Sequence, residues 1–198
     1  MPYPPPYYTD TDPAYARRIM AENPFALLVG EGFEATHLPF LLTGDGHLEG
    51  HVARANPVAA RMGADVLAVF SGPHAYVSAT LYDDPSAQVP TWNYASVQAR
   101  GRLVAMEPGA VVPHLSRVAA AFEPEGGWRP SHAPDYVARL VNGIVAFRLE
   151  LTSLRAFRKM SANKSPAIQK RIIDAARASG DDAFAREMER ANTETTHG

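Results

Sequence analysis

From Trp92 to Ala105 the chain alternates between two kinds of side chain. Ala95, Val97, Ala99 and Leu103 fall on one face, and Tyr94, Ser96, Gln98, Arg100 and Arg102 on the other. This period describes a long strand with one face on a core. The other face is left for solvent, a cofactor or a partner subunit.

Shorter β patterns surround it. Phe25 to Val29 is an apolar strand, and Ala35 to Leu42 is another, whose Pro39 cannot donate to a ladder and belongs at an edge or bulge. Gly44-Asp45-Gly46 is a hairpin turn into Leu48 to Ala53. Val66 to Phe70 follows. Ser71-Gly72-Pro73 is expected to break that run, and His74 to Ala79 to resume it. Val145, Phe147, Leu149 and Leu151 alternate as a late strand.

Helices punctuate these strands. Asp12 offers an N-cap and Pro13 a first helical position, with a stop near Asn23-Pro24. Val112, Leu115, Val118, Ala119 and Phe122 form a helical stripe. A helix is expected from near Pro134 to Asn142-Gly143, and Ser165-Pro166 caps another that Gly180 ends. Asp181-Asp182 opens a last one through Phe184 and Met188. Pro2 to Tyr8 reads as an extended arm and the C-terminus as a polar tail. Many short strands with helices inserted late favour an α+β barrel over a doubly wound sheet.

Composition removes several classes. The formal charge of −2 and ordinary apolar share fit neither a disordered tail nor a nucleic-acid sponge. The absence of cysteine excludes disulfides, thiolate metal sites and a cysteine nucleophile. The N-terminus lacks the basic start and apolar run of a signal peptide, and no apolar stretch approaches the roughly 20 residues of a membrane span. A soluble, cytoplasmic protein without a membrane partner is expected.

Between Thr36 and Val97 lie three unusual phrases. They are His37-Leu38-Pro39-Phe40; Gly50-His51-Val52-Ala53-Arg54-Ala55-Asn56-Pro57; and Phe70-Ser71-Gly72-Pro73-His74-Ala75-Tyr76, followed by Val89-Pro90-Thr91-Trp92-Asn93-Tyr94. Polar and aromatic groups at this density beside short strands point to a lined binding site. Arg54 follows a strand and precedes the helix start at Asn56-Pro57. A guanidinium fork beside free backbone N–H groups suits a phosphate. The same residues also read as a surface arginine beside an asparagine cap.

Other motifs fail. His47 and His51 stand four apart on a strand, about 13 Å from one another, too far to share a zinc ion at bonds near ~2 Å. There is no dinucleotide fingerprint, phosphate-binding Gly-Lys loop or nucleophile elbow, and no side chain stands out as a catalytic acid or base. His114, His132 and His197 lie outside the motif cluster and are expected at the surface. The segment Arg148 to Arg171 carries seven Lys and Arg against one Glu, fit for a phosphate, an anionic ligand, DNA backbone or a solvated face. The helices beyond Ser165 are charge-balanced, unlike a recognition helix.

These phrases resemble the PaiB-type regulator family, a branch of the FMN-binding split-barrel flavoproteins. The resemblance runs from Asn23-Pro24-Phe25 to Lys159-Met160-Ser161-Ala162-Asn163. It implies an α+β fold, a six-stranded antiparallel split β-barrel with flanking and C-terminal helices. The barrel domain would cover 1–158 and a helical extension 159–198. It further implies a homodimer with FMN at the subunit interface. By resemblance, His51, Arg54 and Asn56 become phosphate or ribityl contacts, and Ser78 and Tyr82 belong to the loop above the flavin. Thr91, Trp92 and Asn93 would frame the isoalloxazine edge, with Lys159 as a further cofactor contact. Trp92 and Tyr94 suit a dimer interface equally well.

The chain departs from the family's Pro-Ser-Trp before Tyr82, reading Ala79-Thr80-Leu81 and so lacking a stacking aromatic. The family label is negative transcriptional regulator. Here any regulation is expected to be indirect, through flavin or small-molecule sensing or a protein partner, without direct DNA binding. A small FMN-dependent oxidoreductase of unknown substrate stays open, as does a barrel that works through protein contacts without flavin.

Overall fold

The computed structural model describes residue 5 and residues 8–195, with side-chain surroundings through residue 193. The arm read over Pro2 to Tyr8 therefore lies outside the described residues except for Pro5 and Tyr8, as does the end of the polar tail. The elements are β1 (Thr9–Asp10), α1 (Pro13–Glu22), β2 (Phe25–Val29), β3 (Ala35–Pro39), β4 (Leu41–Leu42), β5 (Leu48–Ala53) and β6 (Asp65–Val77). Then come β7 (Thr91–Ala105), α2 (Val111–Phe122), α3 (Pro134–Leu140), β8 (Ile144–Lys159), α4 (Pro166–Ala178) and α5 (Asp182–Thr195).

The strands hydrogen-bond in the order β3-β2-β6-β7-β8-β5-β4, with β1 joined to β8 off this path. Six of them are five residues or longer, as the family resemblance implies. β1 and β4 add two-residue pieces: β1 is too short to register as a β pattern in the sequence, and β4 is the end of the run expected over Ala35 to Leu42, which divides at Phe40. By contacts the chain divides into two compact units, one of Met20–Phe70 and Gln98–Leu154, the other of Met1–Ile19, Ser71–Val97 and Arg155–Gly198.

In the first of these units, β2 pairs antiparallel with both β3 and β6. Pro39 lies on β3, the end of the path, where its missing N–H interrupts nothing. The turn after β4 closes through Gly46 at φ 86, which brings Leu42 opposite Leu48. β5 then runs antiparallel to β8, from Leu48 opposite Leu149 to Ala53 opposite Ile144. Gly50 leaves room at this crossing for the Leu38 and Phe147 side chains, which would stand 2.9 and 3.2 Å from a Cβ there. The core gathers Phe40 against Phe70 and Phe147, at ring separations of 5.7 and 6.2 Å. Each such buried side chain stabilises the fold by about 1.5–3 kcal/mol.

The other unit holds the two C-terminal helices. Ser165 Oγ accepts the Ile168 N–H to cap α4, Gly180 at φ 82 ends it, and the Asp181 carboxylate accepts from Phe184 N–H to start α5. Ile172, Ile173 and Ala176 of α4 and Phe184, Ala185 and Met188 of α5 are buried. Glu187, buried in α5, is met by both arms of the Arg18 guanidinium at 2.8 and 2.9 Å, which compensates its desolvation.

The break expected at Ser71-Gly72-Pro73 is absent: β6 runs without interruption from Asp65 to Val77. Two local reasons account for this. The β2 register stops at Val69, leaving β6 with a single neighbour strand, where a proline is tolerated. Gly72 serves a close contact rather than a turn, since a Cβ there would lie 3.1 Å from both the Cβ and the carbonyl oxygen of Ala95.

Candidate functional site

Lys159 ends β8 and Thr91 begins β7, and the Lys159 ammonium donates to the Thr91 hydroxyl at 2.6 Å. Two residues further along β7, on the same face, Asn93 is 1% exposed and its amide donates to Ser161 Oγ at 2.8 Å. Ser161 takes up a left-handed backbone, φ 56, just past the strand. Lys164 follows on the same turn, donates to Gln88 at 3.0 Å, and lies 4.7 Å from the centre of the Tyr82 ring. Lys159 itself lies 5.5 Å from the Tyr8 ring. These groups line one pocket of about 180 Å³.

No carboxylate pairs with Lys159 or Lys164 among the described residues. Burial holds the Lys159 ammonium below the ordinary lysine pKa, the condition of a partly desolvated cation that an anion would relieve. Two ammonium groups beside a hydroxyl and side-chain amides form a donor set suited to a phosphate or polyol oxygen.

The excess charge of Arg148 to Arg171 resolves against this background. Arg148 faces Asp45 and Glu49, Arg158 faces Asp10, Lys170 faces Asp174, and Arg171 faces Asp83. Arg155 lies over the Phe157 ring. Of the three that meet no carboxylate among the described residues, Lys159 and Lys164 line the pocket.

Four of the sequence-derived site residues therefore come together: Tyr82, Thr91, Asn93 and Lys159. Trp92 points to the opposite face of β7, 55% exposed, with His74 and Tyr76 at ring separations of 6.1 Å. Ser78 caps a short 3-10 turn, accepting from Thr80 N–H. Gln88, Ser161, Asn163 and Lys164 complete the pocket. Ser161 and Asn163 stood in the motif that ends at Asn163, and Lys164 in the basic run Arg148 to Arg171, whereas nothing marks Gln88 in the sequence.

The remaining three residues lie in the other unit. Arg54 donates from Nε to Asn142 O at 2.7 Å and from Nη2 to Ile144 O at 3.0 Å, so its fork braces the entry to β8. Asn56 caps the 3-10 turn through Val58 N–H and donates to Thr36 Oγ1. His51 joins a buried polar chain. Its Nδ1 lies 3.1 Å from His114 Nε2, and His114 Nδ1 lies 3.2 Å from Glu49 Oε2, which also accepts from Arg117.

His114 corrects an expectation. It is fully buried in α2, on the side where the sequence stripe shows Leu115, Val118 and Ala119. A histidine is admitted there because both ring nitrogens find partners. Glu49 and His51 share a face of β5 by their spacing, and His114 and Arg117 stand one helical turn apart on α2. Those two spacings are the only trace of the chain in the sequence.

Burial lowers the pKa of both histidines, and a proton on His114 would lower that of His51 further. Burial pushes the Glu49 carboxyl up, but hydrogen bonds from Arg117 and His114 outweigh it and hold the group below the usual carboxylate range. All three shifts have one sign: the unfolded chain binds more protons than the folded one. Stability is therefore expected to fall as pH drops below ~6.5, the ordinary histidine value, and to go on falling through the carboxylate range. Denaturant midpoints between pH 8 and pH 4 measure it, and His114→Leu should flatten the upper part of the curve.

Among the described residues no group of three His, Asp or Glu side chains could hold a metal ion, and no helix is long and apolar enough to cross a membrane.

Residues 2–153 match the family described as "Putative FMN-binding domain". The sequence is 30% identical over 185 residues to protease synthase and sporulation protein PAI 2 of Bacillus subtilis, covering 87% of each chain. It is also 30% identical to an uncharacterized protein of Aspergillus fumigatus, over 71% of this chain and 75% of that one. Among solved structures, the flavocytochrome Anf3 of Azotobacter vinelandii superposes with a TM-score of 0.61 at 18% identity, over 77% of this chain and 69% of that one. The FAD and heme binding protein of Mycobacterium smegmatis gives 0.60 at 15% identity, over 82% and 78%. At these identities the likeness concerns the fold, the split-barrel class.

Proposed function

The chain belongs to the PaiB-type family of FMN-binding-domain proteins, and from that premise we propose that it binds FMN noncovalently as a homodimer. The carrying observation is the pocket around Lys159 and Lys164, whose cations lack carboxylate partners among the described residues. In this reading they hold the flavin phosphate, with Thr91 and Asn93 beside the ribityl chain. The flavin, when bound, supplies redox chemistry; the chain supplies position and charge.

Size supports the dimer. A pocket of about 180 Å³ takes a phosphate and part of a ribityl chain, but not the three-ring isoalloxazine. The ring system must find its cover elsewhere, and a second copy provides it. The exposed cluster of His74, Tyr76 and Trp92 is an aromatic face of the kind that subunit interfaces favour. The barrel domain in this reading covers 1–158 and the helical extension 159–198.

Regulation, if the chain shares that role, is indirect. Four of the seven cations of Arg148 to Arg171 are spent on carboxylates, which leaves no broad basic face there for DNA backbone.

The test uses purified full-length protein and added FMN. A flavin absorption band should co-elute with a species of about twice 21.5 kDa by light scattering. A monomer that retains FMN would sink the shared-site arrangement, and failure to bind FMN would sink the whole reading. A footprint by the protein alone on one promoter, at physiological salt, would overturn indirect regulation.

A further inference from the structure

The polar chain through His114 leaves one atom in a defined state. Glu49 is ionised and accepts at Oε2, so the proton between it and His114 sits on His114 Nδ1. Burial holds His114 below the ordinary histidine pKa, so at neutral pH the ring is neutral, and its Nε2 is then the acceptor toward His51 Nδ1, 3.1 Å away. That contact places a hydrogen on His51 Nδ1. His51 Nε2 is left as a bare lone pair. It makes no hydrogen bond among the described residues and is not closed off from solvent.

His51 also forms part of the wall of a pocket of about 210 Å³, with Leu115, Trp128, Tyr136, Leu140 and Ile144 among the other walls. Trp128, Tyr136 and Leu140 are 45%, 57% and 52% exposed, an unusual concentration of large apolar groups at a rim. A cavity of about 150 Å³ with apolar walls is enough for benzene, so this one admits a single ring with a small substituent. No lysine or arginine lines it, which disfavours an anion.

We propose that this pocket binds a neutral single-ring molecule carrying one hydroxyl donor, phenol being the simplest, with the hydroxyl hydrogen-bonded to His51 Nε2. The apolar walls take the ring, and the lone pair selects for the donor. His114 and Glu49 act as positioning residues, because they hold the imidazole in the tautomer that accepts. The site uses none of the residues of the Lys159 pocket.

The test is made on the full chain labelled with ¹⁵N-histidine. In the free protein the His51 resonances should report a protonated Nδ1 and an unprotonated Nε2, and phenol should move the Nε2 signal. Phenol and fluorobenzene, which matches its shape without the donor, are then titrated into wild type and His51→Phe. The ratio of their affinities should change by about tenfold between the two proteins, the worth of one hydrogen bond. His114→Leu should release the tautomer and shrink the same ratio. Should that variant not fold, Leu140→Trp, which crowds the rim, should weaken both ligands together. A protonated Nε2 in the free protein would overturn the proposal. So would an unchanged ratio in His51→Phe, or no binding of either probe at millimolar concentration.

Discussion

Gly101→Ala is expected to destabilise the protein by about 3 kcal/mol or more, at the upper end of overpacking effects. A Cβ at Gly101 would stand 2.3 Å from the carbonyl oxygen of Glu150 and 2.9 Å from its carbon. Both are main-chain atoms of β8, so no side chain can rotate away. Relief requires β7 and β8 to separate, which breaks ladder hydrogen bonds. Thermal unfolding should move down by roughly 6–12 °C for a chain of this size. Gly109→Ala is the control, because nothing lies within 4 Å of its added carbon, and it should stay within ~0.5 kcal/mol of wild type. A Gly101→Ala protein as stable as that control would show that the strand spacing is not fixed here.

Lys159→Met should weaken FMN by about 10- to 100-fold while leaving riboflavin, which lacks the phosphate, nearly unchanged. Losing a charge-assisted hydrogen bond costs ~1.5–3 kcal/mol, and that energy converts to roughly one to two decades of affinity. The pH dependence carries a second signature. Burial lowers the Lys159 pKa, and a bound phosphate would raise it again by supplying the missing counter-charge. FMN affinity should therefore fall as pH rises through the lowered value, whereas riboflavin affinity stays level. Arg54→Ala is the competing variant. Its fork is held by the carbonyls of Asn142 and Ile144, so its loss should loosen that turn without separating the two ligands. Selective loss of FMN in Arg54→Ala and none in Lys159→Met would move the phosphate to the Arg54 corner.

The two substitutions illustrate different degrees of legibility. A glycine inside the strand pattern of Trp92 to Ala105 already announces a close approach. Only the pairing of β7 with β8 reveals that the approaching group is the main chain of Glu150. Lys159 was likewise visible through its motif, but its partners Thr91 and Lys164 depend on where two strand ends meet. Residues remote in sequence carry no mutual periodicity, so nothing in the chain announces that they will share a pocket.

The sequence by itself determined the class of fold, most of the helix caps and the inward face of the long strand. These are local matters, decided by side-chain period and by which residues can cap or turn a backbone. The family, too, was written in local phrases. Tertiary structure alone decided that Arg148, Arg158 and Arg171 are neutralised, because their carboxylates come from Asp10, Asp45, Glu49 and Asp83, all far upstream. It decided as well that His114 is buried. A polar side chain can enter a core only if its partners arrive with it, and that depends on the strand that brings Glu49 and His51 to α2.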